Sequence, residues 1–245
     1  LPDLHRAMET ALDLLYPPQC LKCGAITSRI HTLCGDCWQT ISFISAPCCT
    51  ACGLPFDYDL GAGAICGECA RTRPVFDRAR AAFIYDDQSR QLILGFKHGD
   101  QLQRAIAFSR WMNRAGEDLI TAADYLIPVP LHWTRLFARR FNQAAVLAMK
   151  IGGRAGKPVL TRTLIRRKRT PSQGRLRRSR RVANLRGAFK VPPGAKEELA
   201  GKRVLLIDDV LTTGATATAC TKTLRRAGAT HVDVLTLARV VRDRS

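Results

Sequence analysis

The chain has 245 residues, 46% hydrophobic and 24% charged, enough apolar material for an ordinary core and too much for wholesale disorder. Lys and Arg number 39 against 20 Asp and Glu, a formal charge of +19. No apolar run is long enough to span a membrane, and the opening stretch, with Asp3, Glu9 and Asp13, lacks the basic head and apolar middle of a secretory signal; a reducing cytoplasm is the expected setting.

Nine of the ten cysteines fall between Cys20 and Cys69, and eight form C-x-x-C pairs: Cys20/Cys23, Cys34/Cys37, Cys49/Cys52 and Cys66/Cys69. The pattern is an internal repeat. Each copy runs C-x-x-C-G, a spacer, then an apolar residue followed by C-G-acid-C. In a reducing setting such pairs imply metal rather than disulfides. A C-x-x-C turn aims two thiolates and its backbone N–H groups at one ion, and Gly24 or Gly53 supplies the positive φ that the turn often needs. Two turns complete a tetrahedral Zn²⁺ shell. Two structural zincs are expected, one per repeat, with the interleaved pairing (first turn with third, second with fourth) left open. A closed four-sulfur shell has no position for substrate, so the metal is structural. Cys48 and Cys220 receive no role. The module is expected to span residues 1–75.

Beyond Thr72-Arg73-Pro74 the texture changes. Ala79–Tyr85 predicts a strand, Ser89–Lys97 a helix and Leu102–Ala115 a second helix. Asp124–Pro130 predicts a buried strand, with a helix over Phe141–Ile151 and a strand over Val159–Ile165. Arg166–Gly187 is Arg-rich and weakly periodic. Arg203–Ile207 predicts a strand, Ala215–Ala227 a helix closed by Gly228, and His231–Leu237 a last strand. Alternating strands and helices predict an α/β fold over residues 76–245: a mostly parallel sheet flanked by helices.

The positive charge is local. Tyr125 to Lys196 contains 19 Lys and Arg and no acid, whereas the remainder holds 20 of each sign. Such a surface attracts phosphorylated small molecules, nucleic acid or both. Between Thr161 and Ala188 there is no aromatic residue to stack on bases, which favours salt-sensitive tracking of a nucleic-acid backbone over sequence readout. His132 is a candidate for either a functional or a structural role. His98 is expected to be a cation at a helix carboxyl end.

The sharpest signal runs from Val204 to Thr216. An apolar strand ends in Asp208 and Asp209; Thr212, Thr213, Gly214 and Thr216 follow as a helix begins. Ligands of open α/β sheets bind at the carboxyl ends of strands, and a helix start with a glycine and hydroxyls suits a phosphate. Paired carboxylates beside it suit ribose hydroxyls or a divalent cation. A 5-phosphorylated ribose fits both halves. Neither the Walker pattern nor the dinucleotide fingerprint is present.

These thirteen residues resemble the phosphoribosyl pyrophosphate (PRPP) signature of type I phosphoribosyltransferases. With Ile127-Pro-Val-Pro-Leu-His132, Arg135, Arg139, Phe141-Asn142-Gln143, Arg169-Thr170, Gln173, Asn184 and Gly187-Ala-Phe189, the chain is similar to the ComF family from about Leu15 to Arg239. The resemblance implies a type I phosphoribosyltransferase-like domain. It implies that Asp208 and Asp209 hold the ribose hydroxyls of PRPP, one through Mg²⁺, and that Thr212, Thr213, Gly214, Ala215 and Thr216 bind its 5-phosphate. Arg135, Arg139 and Arg140 would face the pyrophosphate, and Arg169, Thr170 and Gln173 would belong to a mobile lid. It further implies natural transformation, with single-stranded DNA and competence or DNA-processing proteins as partners. An active, amidophosphoribosyltransferase-like enzyme of nucleotide metabolism unconnected with DNA is the alternative. The acceptor and the oligomeric state are not indicated. One position departs from the family: Arg140 stands where a glycine is common.

Overall fold

The structure, a computed structural model, describes residues 17–98, 103–168 and 185–241; the side chains at 97, 98, 135, 138 and 139 are outside that description. The two cysteine repeats fold alike. In each, Gly24 or Gly53 adopts positive φ, at +79° and +69°, and donates its N–H to the carbonyl of Cys20 or Cys49. The second C-x-x-C of each repeat opens a short helix, α1 (Gly35–Gln39) or α2 (Gly67–Arg71), with the extended cysteine Cys34 or Cys66 as N-cap.

The remaining elements are β1 (Ala79–Ile84), α3 (Asp87–His98), α4 (Arg104–Ala115), α5 (Glu117–Ala122), β2 (Tyr125–Pro128), α6 (Trp133–Arg139), α7 (Gln143–Ala155), β3 (Ile165–Arg166), β4 (Phe189–Lys190), α8 (Lys196–Leu199), β5 (Arg203–Leu211), α9 (Ala215–Arg226) and β6 (His231–Arg239). Strands β1, β6, β5 and β2 form, in that order, a parallel sheet. The α/β expectation holds.

Strand alternation builds the core. Leu205 and Ile207 of β5 face one side, against Leu92 and Phe96 of α3, Phe108 and Met112 of α4, and Leu147 and Ile151 of α7. Val204 and Leu206 face the other, against Ala217, Cys220 and Leu224 of α9. The chain enters the sheet through Asp77 and Arg78. Asp77 accepts from Arg225 at 2.8 Å and from the Val232 N–H, while Arg78 donates to Asp233 at 2.8 Å.

The expected strand over Val159–Ile165 does not form. Only Val159 bridges, in parallel, to Leu126 on the outer edge of β2. Thr161 and Arg162 are exposed while Thr163 and Leu164 are both buried, so burial does not alternate and the chain bends. Ile165–Arg166 instead pairs antiparallel with Phe189–Lys190, which pins the two ends of the Arg-rich tract together. The strand after Lys202 is longer than predicted and continues through both acids to Leu211, because β6 remains paired beside it. Helices α5 and α6 are additions. Trp133, Leu136 and Phe137 of α6 are exposed, so no core-facing period announced it.

Candidate ligand site and metal centres

β2 ends opposite Ile207, and the Val129 N–H donates to the Ile207 carbonyl; Asp208 and Asp209 therefore project beyond the neighbouring strand. After β2 the chain passes to α7 on one face of the sheet. After β5 it passes to α9 on the other. Adjacent parallel strands whose connections leave to opposite faces create a crevice at their carboxyl ends, the place where open α/β sheets hold ligands. Asp208 and Asp209 are half-buried at its edge, and the Asp209 N–H donates to Asp208 Oδ1 at 2.9 Å.

The loop after β5 brings Thr212, Thr213, Gly214, Ala215 and Thr216 to the start of α9. Gly214 is the N-cap at φ +71°, and no side chain caps the helix. The first N–H groups of the helix and its positive dipole end thus face the crevice. Thr213 Oγ1 is buried without a hydrogen-bond partner among the described residues. A buried hydroxyl left that way costs about 1–3 kcal/mol unless some further partner completes it.

The opposite wall is the segment from Val129 to Gln143. His132 is buried and caps α6, accepting the Thr134 N–H at Nδ1; this gives its imidazole a structural task. Asn142 caps α7 by accepting from the Ala144 N–H and donates its Nδ2 to the Val129 carbonyl at 3.1 Å, closing the loop on itself. Arg140, at the glycine position of the family pattern, is exposed and left-handed at φ +64°, ψ −21°. The backbone conformation expected of glycine is retained at a strain of roughly 1–2 kcal/mol. The side chains of Arg135 and Arg139, and all of Arg169, Thr170 and Gln173, lie outside the described residues.

Of two further residues here, Arg166 is legible in the sequence only as the start of the Arg-rich tract, and Cys220 receives no role there. Arg166 lies over the Phe189 ring, 5.5 Å from its centroid. Cys220 is buried beneath the crevice. Burial and the nearby Asp208 carboxylate push its thiol well up, and the Arg166 guanidinium acts the other way. Arg166 and Asp208, far apart in sequence, are thus both close enough to act electrostatically on Cys220, and no local motif announces that. Asn142 did carry a signal, as a polar residue immediately before a helix.

The eight paired cysteines converge as two groups, Cys20/Cys23/Cys34/Cys37 and Cys49/Cys52/Cys66/Cys69, all Sγ atoms in each within 4.8 Å of one another. The pairing is sequential, not interleaved. Cys23 and Cys34 sulfurs are 3.7 Å apart, as are those of Cys52 and Cys66. Zinc–sulfur bonds of about 2.3 Å in a tetrahedron put sulfurs about 3.8 Å apart, so both groups fit Zn²⁺. Burial raises Cys20 and Cys49, but backbone N–H donors outweigh it: Cys23, Cys34 and Lys22 bring Cys20 down to about 6, and Cys52, Cys66 and Ala51 bring Cys49 to about 7. Burial pushes Cys37 up to about 12 and raises Cys69 further. Each knot therefore holds one ready thiolate and one thiol that ionises only when a cation arrives.

A double zinc ribbon domain model matches residues 11–70, and a phosphoribosyl transferase domain model matches residues 143–245. Competence protein F of Haemophilus influenzae is 31% identical over 227 residues, 90% of this chain and 96% of its own. DNA utilization protein YhgH of Salmonella typhi is 27% identical over 235 residues, 93% of this chain and 100% of its own. Among solved structures, orotate phosphoribosyltransferase of Aeropyrum pernix aligns over 65% of this chain and 80% of its own, at 18% identity and a TM-score of 0.32. No described helix is long and apolar enough to cross a membrane.

Proposed function

This chain is a member of the competence protein F (ComF) family, and from that premise we propose that it binds PRPP with magnesium in the crevice between β2 and β5 and handles single-stranded DNA during natural transformation in the cytoplasm. One observation carries the PRPP reading: the buried Thr213 hydroxyl, without a partner among the described residues, beside the left-handed Gly214 at the uncapped start of α9, at the same strand end as two half-buried carboxylates.

In this reading the 5-phosphate accepts hydrogen bonds from Thr213, Thr216 and the first N–H groups of α9, supported by the helix dipole. Asp208 and Asp209 accept from the ribose hydroxyls. Magnesium typically takes one or two carboxylates together with substrate phosphates, and an adjacent acid pair meets that need. Arg135 and Arg139, on α6 rather than on a loop, and Arg140 at its carboxyl end are the candidates to meet the diphosphate. Arg169, Thr170 and Gln173 belong to the tract that β3 and β4 anchor at its two ends, where a lid would close. The relatives' names, a competence protein and a DNA utilization protein, support the DNA role, as does the acid-free stretch with its 19 cations.

The test is titration with PRPP and Mg²⁺. Asp208→Asn with Asp209→Asn, and separately Thr213→Val with Thr216→Val, are each expected to weaken binding by roughly ten- to a hundredfold, the scale of lost hydrogen bonds to charged groups. Unchanged affinity in both double variants would overturn the site. Pyrophosphate release across candidate acceptors then shows whether bound PRPP is consumed.

A further inference from the structure

The outer face of α6 takes no part in the crevice. Trp133 is 70% exposed, Leu136 41% and Phe137 88%. Residues four apart on a helix lie on one face, with Cβ atoms about 5–6 Å apart, so Trp133 and Phe137 present their rings from the same side of α6. The indole is steadied at its base: its centroid lies 5.6 Å from that of the buried His132 ring, which caps the same helix. α6 leaves the carboxyl end of β2, at the same end of the sheet as Asp208 and Gly214. It also lies within the stretch from Tyr125 to Lys196, where 19 Lys and Arg occur without one acid.

Other exposed aromatic side chains have different surroundings. Tyr58 stands between Asp57 and Asp59. Trp38 lines, with Phe43, Trp111, Asp59 and Asp118, a cleft of about 1070 Å³ between the cysteine knots and the sheet. Asp59 and Asp118 in that cleft are matched by Arg80 and Arg114, whereas the exposed rings of α6 belong to the acid-free part of the chain. That combination of stacking surface and positive charge suits unpaired bases on a phosphate backbone.

We propose that Trp133 and Phe137 form a stacking platform for the bases of single-stranded DNA, whose phosphates the positive charge of this protein attracts. The proposal rests on the DNA reading above and adds the contact to bases that the Arg-rich tract, without aromatics, does not provide. Stacking accepts any base, so binding is sequence-tolerant.

The test uses the full chain loaded with zinc and a labelled oligothymidylate. Trp133→Ala and Phe137→Ala are each expected to weaken binding about 5- to 150-fold. The dependence of affinity on salt should keep its slope, because neither ring neutralises a phosphate. Trp133→Phe should restore most of the affinity. An abasic strand should bind the unaltered protein as weakly as oligothymidylate binds the double variant. Both rings are exposed, so zinc content and melting temperature should not change. The platform is refuted if the folded double variant binds oligothymidylate like the unaltered protein, or if its loss on the abasic strand is equally large. It is also refuted if only binding of a free nucleobase or of an acidic protein suffers, since the rings would then serve a small acceptor or a protein partner. If the unaltered protein binds PRPP but no single strand, the DNA reading has failed and the platform with it. If it binds strands with a steep salt slope that the ring substitutions do not touch, the platform alone has failed.

Discussion

Cys37 and Cys69 hold the same place in the two ribbons, and their surroundings differ. In the first ribbon Cys20, Leu33, Cys37 and Ile41 belong to the large apolar cluster that includes Phe83, Phe108 and Leu235. Its linker lies on the sheet edge, where Phe43 bridges to Phe83, and Phe43 packs 5.3 Å from Trp111. The second ribbon has a small cluster of its own, Cys49, Ala51, Cys66 and Cys69. It is tied to the sheet largely by polar contacts: the Ala79 N–H donates to the Ala51 carbonyl, and Arg80 donates to that of Thr50. Arg239, the last residue of β6, donates to the Cys52 carbonyl and lies 3.6 Å from its sulfur. Gly53 sits so close that an added Cβ would lie 2.5 Å from the Ala79 carbonyl oxygen. One motif thus gives one local knot, while neighbouring residues decide whether the knot shares the core or is attached beside it.

The largest expected difference comes from breaking each knot in turn. Cys37→Ser should leave about one zinc per chain and destabilise the whole fold by more than about 4 kcal/mol, as losses of a structural metal do. For a chain of this size that lowers the melting temperature by about 8–16 °C. Cys69→Ser should also leave one zinc, but lower the main transition by only about 1–2 kcal/mol, the scale of the few hydrogen bonds that join this ribbon to the sheet. Equal losses in calorimetry would erase the comparison.

A smaller effect should follow from Arg239→Gln. Burial pushes the Cys52 thiol up and the Arg239 guanidinium pulls it back, so the cation favours the thiolate that zinc requires. Zinc affinity at the second ribbon should fall roughly tenfold, the low end for a partner outside the metal shell, with the first ribbon unaffected. Chelator-driven release, read as two kinetic phases, separates the sites; slowing or speeding of both phases together would refute the assignment.

The finest distinction is in protons. Cys20 in the metal-free first knot ionises at about 6, and Cys49 in the second at about 7. Above those values each thiolate is already formed, so zinc binding releases fewer than four protons per site. As pH falls through about 6 at the first knot and about 7 at the second, one further proton must leave and zinc affinity should drop more steeply. Calorimetry in buffers of different ionisation enthalpy measures the release. Four protons at pH 8 from both sites would contradict these thiolates.

Much of this was legible in the residues themselves. The cysteine spacing announced two four-sulfur shells, and the run from Val204 to Thr216 announced a strand, paired acids, a glycine turn and a helix. Both are contiguous units whose geometry is dictated within a few residues, by tight-turn sterics and by the unpaired N–H groups of a helix start. The same local logic misjudged Val159–Ile165, because an apolar run of strand length does not say whether an edge is available to pair with. Only the tertiary structure decided that the cysteine turns pair sequentially, that β2 and β5 create the crevice, and that Asp208 and Arg166 act on the buried Cys220 thiol. It also brought Arg239 to Cys52 across 187 residues and held Arg140 left-handed where a glycine was expected. Strand order and helix placement set those neighbours, and they emerge from burying both faces of one sheet at once, a condition on the whole chain that no single segment carries.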